Sequence, residues 1–203
     1  GGFIALVVVS AALFLKSRKR LMLTIALMAI GLTAYHFMPP QWTARMDTIH
    51  HAEEVNTVQS RVQSWEFATN VALHRPLTGG GLKVYESEAL WNRYAPEEAV
   101  QRAVHSIYFR VLGEQGFPGL AIFIGLLVAS WRSCAYVRHK SRHLPHEKWA
   151  FDLASMLQIS LLAFMIAGLA TTSSYFDLSY QLMAMCALLK GLLPEGVVAY
   201  AGS

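Results

Sequence analysis

Residues 60–120 read SRVQSWEFATNVALHRPLTGGGLKVYESEALWNRYAPEEAVQRAVHSIYFRVLGEQGFPGL, the one long polar interval in an otherwise apolar chain. Two helix-like pieces lie inside it, one carrying Arg61 and the other His105, joined through a proline–glycine break. Over residues 58–74, Val62, Trp65, Ala68, Thr69 and Ala72 recur at helical spacing, with Thr57 or Ser60 available as a cap. Arg75-Pro76 ends that helix, and Gly79-Gly80-Gly81 supplies a flexible loop. A second helix is expected to resume near Ala99, with His105, Phe109 and Leu112 on one side and Arg110 and Glu114 as an i,i+4 pair. Gly116-Phe117-Pro118-Gly119 should break or kink it just before the chain turns apolar.

Outward from this interval the composition points to a bilayer. Of 203 residues 54% are hydrophobic and only 15% charged, too apolar and too unevenly distributed for an ordinary soluble domain. The formal charge of +4 comes from short Lys and Arg runs between apolar segments. Retention on the cytoplasmic side explains such runs, so no nucleic-acid partner is expected. Cys134 and Cys186 lack CxxC or Cys/His spacing, which argues against a disulfide framework and a zinc site.

The expected fold is all-α: a polytopic membrane protein with about five transmembrane helices and one helical periplasmic loop domain. Residues 1–38 hold two spans, of which 3–15 is too short to cross and 21–38 is closed by Pro39-Pro40. Residues 39–104 form the loop domain, whose arginines are matched by acids, unlike the basic turns. Residues 105–131 run from a periplasmic helix into the third span, 132–149 form a basic cytoplasmic loop, and 150–203 hold two more spans and a tail. The start, GGFIALVVVS, has neither an initiator Met nor a charged region before the apolar run. It is not read as a signal peptide but as a cut through a longer membrane protein.

This layout places chemistry at the outer membrane face, where a substrate could itself be lipid-borne. Arg61 offers a rigid fork of donors suited to a diphosphate, although a pairing with Glu66 would make it merely structural. His105 sits where polar loop gives way to membrane helix and could take a proton from an attacking hydroxyl, or simply bond a backbone group. Trp65 and Tyr108 could line a sugar site or belong to an interfacial aromatic belt. Asp177 is the acid of the last outer turn and could pair across the site or cap the next helix. The histidines lack an HExxH-like spacing and no acidic cluster is present, so neither a metal nor another cofactor is expected.

RVQSWEFATNVALHRPLTGGGL followed by AVHSIYFRVLGEQGFPGLAIF resembles the C-terminal half of the O-antigen ligase and polymerase superfamily. There an Arg-x-x-x-Trp helix, a Pro-x-x-Gly-x-Gly-like turn and a His-x-x-Tyr segment followed by Glu-x-Gly recur in that order. Residues 45–49 and 92–96, with Ser106 in place of the usual Asn, narrow the resemblance to the O-glycosylation ligases associated with exosortase A systems. The resemblance implies an inverting, metal-independent glycosyltransferase of the bacterial inner membrane, active at the periplasmic face. Its partners would be an undecaprenyl-diphosphate-linked glycan, an acceptor protein or lipid, and membrane lipids. By motif position Arg61 would hold the diphosphate, His105 would activate the acceptor hydroxyl, and Arg75 would be a second phosphate contact. It also implies further upstream spans that help form the donor site, so residues 1–203 alone are expected to be inactive. The alternatives are a polysaccharide polymerase on the same fold and a non-catalytic exopolysaccharide export or assembly component.

Overall fold

The computed structural model describes residues 54–192 apart from Glu98, together with scattered positions between Ser10 and His36. The spans expected over 3–15 and 21–38, and the start of the loop domain, lie largely outside the described residues. Between Glu54 and Leu192 the described residues are mainly helical, with no strand among them.

Helix α1, Glu54–His74, forms because small and apolar residues recur every three to four positions. Ser64, Phe67, Ala68, Val71 and Ala72 make one buried face. A left-handed turn follows, and the short helix α2, Glu88–Tyr94, starts where the Ser87 hydroxyl accepts from Leu90 N–H at 3.4 Å. Trp91 and Tyr94 then fold back onto α1, so that Phe67 meets Trp91 at 4.5 Å and Tyr85 at 5.4 Å between ring centroids. Val71, Val84 and Val104 complete this small core outside the membrane helices.

The helix expected to resume near Ala99 does not. Residues 99–106 are non-helical, and α3 begins only at Ile107, behind Ser106. Side chains tie this region down instead. Trp91 Nε1 donates to Ala99 O (3.1 Å), and Gln101 Nε2 donates to Tyr85 O (2.7 Å). An extended residue advances about 3.3 Å against about 1.5 Å in a helix, so a short segment can bridge from α2 back to the start of α3.

Helix α3, Ile107–Ser141, contains the expected break, located at Gly116 (φ 71, ψ −166). The basic segment 132–149, expected as a loop, is mostly helical: α3 continues to Ser141 and α4 starts at Lys148. Lys and Arg are good helix formers, and no proline intervenes between Leu120 and Ser141. Helix α4, Lys148–Ala167, is prolonged by a 3-10 turn, Gly168–Ala170, and α5 is Asp177–Gly191. The three helices pack together through Cys134, Val137, Ala154, Leu157 and Cys186 towards one end and Ile107, Val111, Phe123 and Leu161 towards the other.

Among the described residues two helices are long and apolar enough to cross a membrane, Ile107–Ser141 and Lys148–Ala170. Ile122, Leu126, Val128, Met156 and Leu188 stay exposed on the helix surfaces, as lipid-facing positions would. The count of five spans is not confirmed, since two of the expected spans lie largely outside the described residues. At 15 residues α5 reaches only about 22 Å, short of a hydrocarbon core of about 30 Å.

Candidate functional site

The site begins with two side-chain pairs, each four residues apart in sequence. On α1, Arg61 and Trp65 lie one turn apart; His105 belongs to the non-helical segment before α3, and Phe109 lies in the first turn of α3. Trp65 stacks on Phe109 with 5.1 Å between centroids and 7° between planes, and this contact registers α1 against the start of α3. The positions four residues earlier on each segment, Arg61 and His105, are thereby brought into electrostatic reach of one another.

Arg61 is half-buried, and its Nε finds no hydrogen-bond partner among the described residues; the same holds for Trp65 Nε1. The pairing with Glu66 considered above does not form. Five residues on, Glu66 points away from Arg61, and the two ion pairs among the described residues are Lys83–Glu86 and Arg110–Glu114. Partial burial first, and the Arg61 guanidinium second, hold the His105 imidazole below its ordinary value of 6.5. The cause can be checked on the imidazole resonances of His105. Removing the positive charge by Arg61→Gln should move its titration upward, towards 6.5, while Arg61→Lys should leave it low. An unchanged midpoint in Arg61→Gln would show that the two groups do not interact.

Beneath this pair the turn after α1 locks into the break in α3. Gly116 and Pro118 cost α3 two of its own hydrogen bonds, those that would have run from residues 117 and 118 to the carbonyls of Gly113 and Glu114. The turn replaces both. Gly80 N–H donates to Gly113 O (2.8 Å), Gly81 N–H to Glu114 O (3.0 Å), and Phe117 N–H to Pro76 O (2.9 Å). Such close approach requires glycine. A Cβ on Gly79 would lie 2.7 Å from backbone atoms of Gly113, Glu114 and Gly116. All three glycine amides of the turn are thus taken by backbone carbonyls, Gly79 N–H by Arg75 O (2.9 Å) and the other two by α3.

The Glu114 side chain is the centre of a second network. It is 2% exposed, and Oε1 accepts from Lys83 N–H at 3.1 Å and from Arg110 Nε at 3.3 Å. Oε2 accepts from Tyr175, and Arg110 also donates to Thr172 O at 3.0 Å. Burial, then the bond to Glu114, raise the Tyr175 phenol above its ordinary range, which keeps it a donor. Glu114 so ties three segments together: the turn at Lys83, helix α3 and the 171–176 connection. A pocket of about 190 Å³ opens beside it, lined among others by Lys83, Glu86, Val104, Arg110 and Glu114; neither Arg61 nor His105 lines it.

The remaining expected site residues are dispersed. Tyr108 donates to Met165 O at 2.9 Å and meets Phe123 edge-on, so its hydroxyl joins α3 to α4. Arg75 is exposed on the turn. Asp177 is exposed in the first turn of α5 and forms no ion pair among the described residues; the acid that meets an arginine here is Glu114. The i,i+4 spacing revealed the Arg110–Glu114 pair, but nothing local marked it as a buried junction.

Two apolar helices long enough to cross a membrane, a small core packed outside them and an arginine–imidazole pair near the start of α3 are the features of a membrane protein with a polar site at one end of its helices. The sequence model of the O-antigen ligase family matches residues 1–124, more than half of the chain, and spans α1, the glycine turn, His105 and the break in α3. The chain belongs to the O-antigen ligase family, whose members are membrane glycosyltransferase-like ligases or polymerases. No curated protein matches it.

Proposed function

We propose that the protein transfers a glycan from an undecaprenyl-diphosphate carrier to a hydroxyl of a protein or lipid acceptor at the periplasmic face of the bacterial inner membrane. The observation that carries this reading is an Arg61 guanidinium free of acidic partners among the described residues, beside an imidazole held neutral at pH 7. His105 accepts the proton of the acceptor hydroxyl as its oxygen bonds the anomeric carbon. The bond from that carbon to the carrier diphosphate breaks on the opposite face, which inverts the configuration. Arg61 binds the departing diphosphate with its planar donor fork, and Trp65 Nε1, one turn away, supplies a further donor. Arg75 is assigned to the outer edge of the same anion. The pocket beside Val104 carries both carboxylates and cationic donors, groups that sugar hydroxyls engage, and is assigned to the glycan.

The family resemblance extends this to ligases that modify secreted proteins or an exopolysaccharide in exosortase A systems. Membranes containing the full-length protein, given a lipid-linked glycan and an acceptor in the presence of EDTA, should release one preassembled glycan per acceptor. The double variant Arg61→Ala/His105→Ala should not, while remaining in the membrane. Transfer retained in the double variant would remove the catalytic assignment, and a ladder of lengthened glycans would make the protein a polymerase.

A further inference from the structure

Far from the arginine–imidazole pair, towards the basic ends of α3 and α5, a groove of about 430 Å³ runs along the surface. On α3 it follows Gly125, Ala129, Arg132, Ser133 and Tyr136, residues on one helical face, and α5 contributes Lys190. Its lower half is apolar and unfilled: a Cβ built on Gly125 would meet nothing within 4 Å. Its upper half is cationic. Lys190 and Lys140 both approach the Tyr136 ring, with Nζ at 5.4 Å and 6.0 Å from the centroid, and Arg132 lies four residues before it.

No acid lines the groove, and neither ion pair found among the described residues involves these cations. Two positive charges at one ring and a third one helical turn away repel each other, and the low dielectric of a membrane edge strengthens that repulsion. A small-residue trough below a cluster of cations matches one class of molecule, a lipid whose acyl chain fits the trough and whose phosphate meets the charges.

We propose that this groove is a binding site for an anionic glycerophospholipid, with an acyl chain over Gly125 and Ala129 and the headgroup phosphate between Arg132 and Lys190. The Ser133 hydroxyl supplies a neutral donor to the same phosphate. Towards the opposite end of α3, the Arg61–His105 site takes no part, so the lipid is a structural ligand and not the glycan carrier.

The test uses the full-length protein in bilayer discs of phosphatidylcholine with a minor share of phosphatidylglycerol, and Ala129 exchanged for the photo-reactive residue benzoylphenylalanine. Mass spectrometry of the illuminated protein identifies what lies in the trough. Adducts should favour phosphatidylglycerol roughly thirtyfold over its share of the bilayer, the order that two cations near a phosphate supply. In Arg132→Gln/Lys190→Gln the preference should vanish while adducts with lipid persist. Both side chains are exposed, so these changes leave the packed core untouched. Adducts matching the bilayer composition in the parent protein would overturn the site. So would a cross-link from position 129 to another segment of the chain, which would show the trough covered by protein.

Discussion

Glycan transfer by His105→Ala is expected to fall by roughly 10²–10⁴-fold, the range for loss of a general base. The protein should remain folded, because the imidazole is largely exposed, only partly covered, and lies outside the Phe67–Trp91 core. The acid side of the pH profile separates a base from a bystander. With its pKa lowered by partial burial and by Arg61, His105 protonates at a lower pH than an ordinary imidazole, so the acid limb of wild-type transfer should lie below that of an unperturbed histidine base. The same shift has a small consequence for stability. The folded chain disfavours the charged ring, so stability is full above the unfolded pKa and declines as pH falls through the folded one. Transfer by His105→Ala within a few-fold of wild type would return His105 to the scaffold.

The second large effect should come from a residue that touches no reacting group. Gly116→Ala places a Cβ 2.5 Å from Pro76 O and 3.0 Å from Gly79 N, at a φ of +71 that side chains rarely adopt. With ψ near −166 the position falls in a region occupied essentially by glycine alone. A loss of about 3 kcal/mol or more is expected, read as a lowered thermal midpoint in detergent. Transfer should be lost too, because the turn that fixes α1 against α3 can no longer dock. Gly191→Ala is the control: its site at the end of α5 is open and lies outside the lipid trough, so its midpoint should be unchanged or slightly raised. Equal midpoints for Gly116→Ala and wild type would show that the turn does not seat in the break.

Both outcomes depend on one arrangement. Gly80, Gly81 and Phe117 exchange backbone hydrogen bonds across two distant segments, and Glu114 then fastens Lys83, Arg110 and Tyr175 around the junction. A helix break at the membrane edge usually leaves carbonyls exposed to solvent. Here those carbonyls become the docking points of the loop that follows α1, so the defect in α3 orders the site above it.

By itself the sequence determined that the chain is helical and apolar, that α1 ends at His74, and that α3 breaks within residues 116–119. These features are legible because helical periodicity, proline and glycine act within a few residues. Its motifs also carried the family, since their order survives in a linear string. Periodicity over residues 99–106 misled because side-chain bonds from Trp91 and Gln101 tether a non-helical backbone there, and those bonds join residues far apart. Only the tertiary structure decided that Trp65 stacks on Phe109 and so carries Arg61 to His105, that the hydroxyl of Tyr108 bonds Met165, and that Glu114, not Asp177, is the acid at the junction. Spacing within one helix fixes which residues share a face; which two faces meet depends on long-range packing, and no local pattern encodes it.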